Sequence, residues 1–248
     1  MSKVSATWYS QRAGRDITVS RWGAVGTPVL VFPTAAGDAE EGERFHLVDA
    51  VGPLLEAGRA KIYSVDSIAG QSWLQHDDSI ESAARVQHQF DAVLAEEVVP
   101  AIRQDCNHPE QLDIILAGAS IGAFEAFAAI CRHPDLFTKA ICMSGTFEPR
   151  KFLRGQPNHD WYLASPMMFV PHMREDSPQL AQLRTRFVLF AHGTGRWEEP
   201  AQSWNAADVL GARGVPNRVA EWGQEWDHDW ITWRRMLPQY LEELLPDA

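Results

Sequence analysis

Short apolar runs alternate with longer amphipathic segments along most of the chain. Runs rich in Val, Ile, Leu and Phe are typical of strands that are buried on both faces of a parallel sheet. The sequence predicts such strands at 17–21, 29–32, 61–65, 112–117, 138–143, 187–191 and 218–222.

Between these strands, apolar residues recur at the spacing of one helix face. The clearest case runs from Ile80 to Arg103, where Asp78 and Glu81 have the spacing of a capping box at the start of a helix. The pattern predicts helices at 45–57, 80–103, 121–132 and 232–245.

This alternation predicts one α/β domain over residues 1–248, with a mostly parallel central sheet and helices on both faces. The segment 147–183 is rich in Pro, His, Met and aromatic residues and interrupts the alternation. We expect it to be a small insertion, or a lid-like segment, after the sixth core strand.

Composition excludes several classes of function. The net charge is −11, which would repel a phosphate backbone, so we expect no nucleic-acid partner.

The N-terminus has no apolar signal region and no stretch approaches the length of a membrane span, so we expect a cytoplasmic protein without a membrane partner. Three cysteines far apart in sequence suggest neither a disulfide framework nor a metal site. We expect no metal and no cofactor.

Residues 118–122 read Gly-Ala-Ser-Ile-Gly and match the motif G-x-S-x-G. The predicted strand before the motif and the predicted helix after it are the context in which this motif presents a nucleophilic serine. Ser120 is therefore the candidate nucleophile, and the N–H of Ile121 is a candidate oxyanion donor at the start of the helix. The alternative is an ordinary serine in a turn.

A serine nucleophile needs a base, and the chain has nine histidines. His159 and His228 each belong to a His-Asp-Trp triplet. His228 follows the last predicted strand and precedes the closing helix, where the base lies when the chain order is Ser, acid, His. We expect His159 to be an exposed or substrate-lining residue of the insertion, and His192 to be packed behind the site.

The acid that orients the histidine should follow the strand 187–191. The segment there contains two glutamates and no aspartate before Asp208, so Glu198 is the preferred acid and Glu199 the alternative. Asp227 and Asp229 flank His228, but neighbouring side chains in an extended loop point apart. We expect these two aspartates to cap the closing helix or to shape the loop.

The loop 33–38, after the second predicted strand, consists mainly of small residues that let the backbone approach a ligand. The N–H of Ala35 is the candidate second oxyanion donor, with a tight turn that binds nothing as the alternative. Thr34, Trp197 and Met168 are candidates for contact with the substrate. The remaining tryptophans near the histidine are expected mainly to pack around its loop: Trp222, Trp226, Trp230 and Trp233.

With these residues the chain resembles the α/β-hydrolase superfamily, and within it the putative-esterase family of S-formylglutathione hydrolases, enterochelin and feruloyl esterases and mycolyltransferases. The resemblance runs from about Val29 to the C-terminus and is most specific at 118–122 and 228–230. In the mycolyltransferases a glutamate follows a Gly-rich turn, as Glu198 does here. S-formylglutathione hydrolases have Gly-Thr-Ala-Asp where this chain has Gly-Thr-Gly-Arg at 193–196, so that activity is not implied.

The resemblance implies a serine hydrolase that cleaves a carboxylic ester or thioester of a small acyl substrate. An acyltransferase with the same triad is the alternative among enzymes. A catalytically inactive hydrolase fold used for binding is the alternative from another class. The sequence is compatible with a monomer or a homo-oligomer.

Overall fold

The computed structural model of the protein describes residues 2–35, 37–74, 79–108, 112–148 and 158–246. Ala36, the predicted helix cap Asp78 and part of the predicted insertion lie outside these ranges. Within them the strands are β1 (Lys3–Ser10), β2 (Arg15–Trp22), β3 (Thr27–Phe32), β4 (Ala60–Val65), β5 (Ile114–Ala119), β6 (Phe137–Met143), β7 (Phe187–His192) and β8 (Asn217–Glu221).

These strands form one sheet in the order β1-β2-β4-β3-β5-β6-β7-β8. β1 pairs antiparallel with β2, and β2 pairs antiparallel with β4. The remaining neighbours, from β4 to β8, pair in parallel. The prediction of a mostly parallel sheet is confirmed.

The described helices connect and cover these strands. They are α1 (Glu41–Arg44), α2 (Leu47–Ala50), α3 (Gly52–Glu56), α4 (Ile68–Leu74), α5 (Ile80–Val93), α6 (Val99–Asp105), α7 (Ile121–Arg132), α8 (His159–Ala164), α9 (Pro166–Phe169), α10 (Pro178–Leu183), α11 (Pro200–Gly211) and α12 (Trp230–Leu244). A π-helical turn, Leu94–Val98, joins α5 to α6, and a 3₁₀ turn, Val170–His172, follows α9. No helix in the described ranges is both long and apolar enough to span a bilayer.

Alternating residues of the central strands point to opposite faces of the sheet, and both faces are covered. In β3, Leu30 and Phe32 belong to the core with α5, α7 and α11. Val29 and Val31 belong to the core on the other face, with α2, α3 and α12. This packing explains why the central strands read as continuous apolar runs rather than as an alternation.

The structure differs from the sequence prediction in two helices. The predicted helix 45–57 is two short helices, α2 and α3, which meet at Val51. It is separated from α1 by His46, whose φ of 60° interrupts the helical path. The predicted helix 80–103 is divided by the π-helical turn before α6, where Pro100 lies in the first turn and supplies no N–H to a continuous ladder. The predicted strand 112–117 begins at Ile114 and extends to Ala119.

The elements α8 to α10 follow β6, at the place expected for the insertion. α8 packs against α5, where His88 Nε2 lies 3.0 Å from the carbonyl oxygen of Asp160. Trp161 of α8 packs edge-on against Trp73 of α4. The division of the chain into a single domain with a lid-like segment stays a prediction.

Candidate active site

Ser120 lies in the sharp turn between β5 and α7. Its backbone has φ of 56° and ψ of −120°, a conformation that is strained for a residue with a side chain. Its N–H donates to the carbonyl of Met143 at 3.0 Å, and its carbonyl accepts from Thr146 N–H at 3.3 Å. The surrounding hydrogen bonds therefore hold the strained residue in place.

The two glycines of the motif are required by close backbone contacts. A Cβ on Gly118 would lie 2.1 Å from the carbonyl oxygen of Gly122. A Cβ on Gly122 would lie 2.5 Å from the carbonyl oxygen of Pro33 and 2.6 Å from that of Phe32. The first turn of α7 is therefore pressed against the end of β3, where the 33–38 loop begins.

Strand register brings three residues into a row at the carboxyl edge of the sheet. Ala119 pairs with Met143, and Met143 pairs with Ala191. The residues that follow them, Ser120, Ser144 and His192, therefore lie on neighbouring strands, whose spacing is about 4.8 Å. Ligands of open α/β sheets bind at this edge.

Glu198 and His228 lie together beside this row. The distance from His228 Nδ1 to Glu198 Oε2 is 3.9 Å, and the Glu198 side chain is only 1% exposed. The other carboxylate oxygen, Oε1, accepts from Ser144 Oγ–H at 2.6 Å. Ser144 Oγ in turn accepts from Trp233 Nε1–H at 3.0 Å. Through Ser144 and Trp233, the loop that carries Glu198 is thus linked to β6, the strand next to the one that ends at Ser120.

Burial raises the pKa of Glu198, while hydrogen bonds from Ser144 and from the backbone of Gly193 act in the opposite direction. Glu199 differs, because it is exposed and accepts from Gln202 Nε2 at 3.3 Å in the first turn of α11. Asp208 is also exposed, on α11. The structure therefore places Glu198, the preferred acid, against the histidine.

The loops that carry Glu198 and His228 interlock through backbone contacts. Gly195 N–H donates to Trp226 O at 3.0 Å, and His228 N–H donates to Arg196 O at 3.0 Å. A Cβ on Gly193 would lie 2.0 Å from the carbonyl oxygen of Trp226. Glycine is needed there because the two loops touch main chain to main chain.

The aspartates beside His228 have the structural roles expected of them. Asp227 accepts from Arg196 N at 2.7 Å and from Arg196 Nε at 2.8 Å, which ties the two loops together. Asp229 is the N-cap of α12 and accepts from the N–H groups of Ile231 and Thr232 at 2.9 and 3.1 Å. These contacts confirm that Asp229 caps the closing helix and that Asp227 shapes the loop.

Aromatic packing accounts for the tryptophans around the histidine. The ring of Trp233 meets His228 edge-on at 5.2 Å, and Trp222 packs edge-on against Trp226 at 4.8 Å. Trp230 stacks on Phe45 at 4.6 Å. The prediction that these side chains mainly pack around the histidine loop is confirmed.

The other two histidines have different environments. The His192 side chain is 1% exposed and lies 3.4 Å from Glu221 Oε2, and burial lowers its pKa. The packed position predicted for it is confirmed. His159 is exposed at the start of α8, where its ring stacks on Tyr162.

The candidate substrate residues lie in two places. Trp197 is 76% exposed, has φ of 61°, and lies under the Arg196 guanidinium at 5.3 Å. Ala35 and Met168 pack against the buried cluster that contains Ile121, Trp73 and Trp161. Their contact with a substrate stays a prediction.

Thr34 is already engaged by a residue that the sequence did not single out. Its N–H and its hydroxyl donate to the two carboxylate oxygens of Glu41, each at 2.7 Å. Ser144 is a second residue that sequence reasoning missed. Its position in the sequence could have indicated it, since Ser144 follows β6 as directly as Ser120 follows β5.

Comparison with known proteins gives a consistent result. The family described as "Putative esterase" matches residues 68–244. A search of curated proteins finds no match. A ferulic acid esterase has a similar structure, with a TM-score of 0.72 and 18% identity over 98% of this chain and 97% of that chain.

Two further solved structures share the fold. An S-formylglutathione hydrolase from Agrobacterium tumefaciens has a TM-score of 0.72 and 12% identity, over 97% of this chain and 93% of that chain. MPT51 (FbpC1) of Mycobacterium tuberculosis has a TM-score of 0.68 and 18% identity, over 98% of both chains. The fold is therefore that of the α/β hydrolases, and the chain belongs to the "Putative esterase" family of carboxylic-ester hydrolases.

Proposed function

We propose that the protein is a serine esterase in which Ser120 is the nucleophile, His228 the general base and Glu198 the acid that orients it. The N–H groups of Ile121 and Ala35 form the oxyanion hole. The observation that carries this proposal is the buried Glu198 carboxylate against His228 Nδ1, beside the strained Ser120 at the same sheet edge. The 3.9 Å distance is longer than a hydrogen bond, and we expect it to shorten when substrate binds, as catalytic hydrogen bonds commonly do.

The reaction proceeds in two half-reactions. Ser120 Oγ attacks the ester carbonyl carbon while His228 Nε2 takes the hydroxyl proton, and the backbone donors stabilise the negative oxygen. The bond to the alcohol breaks as His228 returns the proton to the leaving oxygen, which leaves an acyl group on Ser120. In the second half-reaction, His228 takes a proton from water, which attacks the acyl group on Ser120. The carboxylic acid product is released, and His228 returns the proton to Ser120. Glu198 holds Nδ1–H throughout, so that Nε2 is free to accept the proton.

An acyltransferase would use an alcohol or amine in place of water at the second step. The same residues serve both reactions, so product analysis with and without added acceptors separates them. A binding module with no chemistry has no need of a buried acid behind a histidine.

The direct test is the reaction of Ser120 with a fluorophosphonate probe, together with turnover of an activated ester. Ser120→Ala should abolish labelling and lower kcat by at least about 10³-fold, because no acyl-enzyme can form. Ser82→Ala, on the side of α5, is the control and should leave both unchanged. If Ser120→Ala is still labelled by the probe, a residue other than Ser120 is the nucleophile.

The two His-Asp-Trp triplets are separated by a second pair of variants. His228→Ala should be nearly as damaging as Ser120→Ala, and the double variant should lose little more, because the two residues act as a unit. His159→Ala should keep kcat within about tenfold. A severe loss in His159→Ala with His228→Ala spared would reverse the assignment of the base.

A further inference from the structure

A buried carboxylate lies behind the loop that carries the second oxyanion donor. Glu41 is the first residue of α1 and is only 7% exposed, whereas the side chains of Glu40 and Glu43 are 43% and 40% exposed. Burial raises its pKa, against the hydrogen bonds from Thr34. A carboxylate buried at such a cost needs compensating hydrogen bonds.

Both oxygens of Glu41 are used by one residue of the loop. Oε2 accepts from Thr34 N–H and Oε1 accepts from Thr34 Oγ–H, each at 2.7 Å. Gly37 packs on the same carboxylate, because a Cβ there would lie 2.5 Å from Glu41 Cδ and Oε2. Gly37 N–H donates to Thr34 O at 3.1 Å, which closes the loop over Ala35.

The far end of the loop is held independently. Ala39 N–H donates to Asp66 Oδ1 at 3.0 Å, and the carbonyl of Gly37 accepts from Ser67 N–H at 3.2 Å. Ala35 thus lies between two anchored points, Glu41 on one side and the Asp66–Ser67 turn on the other. The near side is also where the loop meets the Ser120 turn, through the contact of Gly122 with Pro33.

We infer that Glu41 is a positioning residue for catalysis, which fixes the main chain at Thr34 so that the Ala35 N–H points at the developing oxyanion. This inference rests on the proposed function of Ser120. Glu41 itself does not touch the substrate. Its contribution is expected in the transition state, where the donor must be within hydrogen-bond reach of the oxyanion, and not in substrate binding.

Reach, rather than charge, should determine the effect of substitutions. In Glu41→Gln the amide oxygen can accept from Thr34 N–H while the amide N–H₂ donates to the Thr34 hydroxyl, so kcat should stay within about threefold. Glu41→Asp keeps the charge but is one methylene shorter, and should lower kcat about tenfold. Glu41→Met keeps a side chain of similar length but removes both acceptors, and should lower kcat about 100-fold, the scale of a lost oxyanion donor. KM should stay within about threefold in all three.

A small cavity of about 20 Å³ beside Glu41, lined by Trp22, Phe32 and Trp230 among others, leaves room for the methionine. Glu43→Met is the matched control, since Glu43 lies on the same helix and bonds to Trp22 and Lys3 instead of the loop. It should leave kcat and KM unchanged. Should Glu41→Met fail to fold, the contrast between the Gln and Asp variants still decides the question.

The sharpest readout is the affinity for an aryl trifluoromethyl ketone, whose adduct with the serine places an oxyanion in the hole. Its inhibition constant should rise in parallel with the loss of kcat across the series. Equal behaviour of all Glu41 variants and the control would overturn the inference, as would a greater loss in Gln than in Asp. If Ser120→Ala, assayed alongside, keeps its turnover, it is the proposed function that fails.

Discussion

Glu125 lies in the middle of α7 and is fully buried, in a helix whose other buried residues are almost all apolar. Its Oε2 accepts from Gln87 Nε2 at 2.6 Å, and Gln87 Oε1 accepts from Trp73 Nε1 at 3.2 Å. Burial, reinforced by the nearby charge of Asp91, raises the pKa of Glu125 from 4.5 to about 8. At pH 7 the folded protein therefore holds this carboxyl group mainly in its neutral form.

The consequence for stability has a definite sign. The folded state binds the Glu125 proton more tightly than the unfolded state, so this contribution is fully present below pH 4.5 and is lost as pH rises to about 8. Each pH unit between these values lowers the free energy of unfolding by about 1.4 kcal/mol. Wild-type protein should therefore lose about 3 to 4 kcal/mol from this residue between pH 5 and pH 8. Glu125→Gln has no proton to lose and should be spared this decline.

The measurement is the free energy of unfolding in urea, at intervals from pH 5 to pH 9, for wild type and Glu125→Gln. The difference between the two should shift steadily in favour of the variant as pH rises. Glu81→Gln, at an exposed site on α5, should show no such trend. A difference that stays constant across the pH range would refute the assignment of a neutral, buried acid.

Three further predictions concern the site itself. Glu198→Gln should lower kcat/KM on an activated ester by orders of magnitude, because the amide can hold the wrong histidine tautomer. Glu199→Gln should change kcat/KM little. A loss in Glu199→Gln alone would assign the role of the acid to Glu199. Ser144→Ala should cost about 1–3 kcal/mol in urea unfolding, since it orphans buried partners. An unchanged free energy of unfolding would contradict the hydrogen bonds of Ser144 to Glu198 and Trp233. Gly122→Ala should destabilise the protein by about 1–3 kcal/mol and lower kcat, because its Cβ would lie 2.5 Å from Pro33 O; unchanged unfolding and kcat would show that the turn can yield.

The elements that the sequence predicted are those with a strong apolar period. The central strands β3 to β7 are buried on both faces, and their continuous apolar runs are visible in the sequence. β1 was missed because it is an edge strand whose residues are mostly exposed, so it has no apolar face to reveal it. The antiparallel pairing of β2 with β4 is a long-range contact that no local pattern encodes.

In the candidate site, too, some residues could be predicted from the sequence and others could not. Ser120 and His228 follow from a motif and from the order of elements, because the turn needs small residues at fixed positions. The clamp of Glu41 on Thr34 and the partners of Glu125 could not be predicted, since both depend on which side chains the packed helices bring together. The position of Ser144 follows β6, but its contact with Trp233 depends on how α12 packs beside the sheet, which only the structure shows.

The interlocked loops at 193–198 and 226–228 have a consequence for redesign of the enzyme. Each loop supplies the surface on which the other folds, through glycines that leave no gap and through the Arg196–Asp227 pair. Exchange of either loop for that of a relative would place new side chains where a main chain now lies. Transplanting the two loops together would keep their contacts intact. A library intended to change substrate preference should therefore exchange both loops together and vary Trp197, the exposed residue for which substrate contact is predicted.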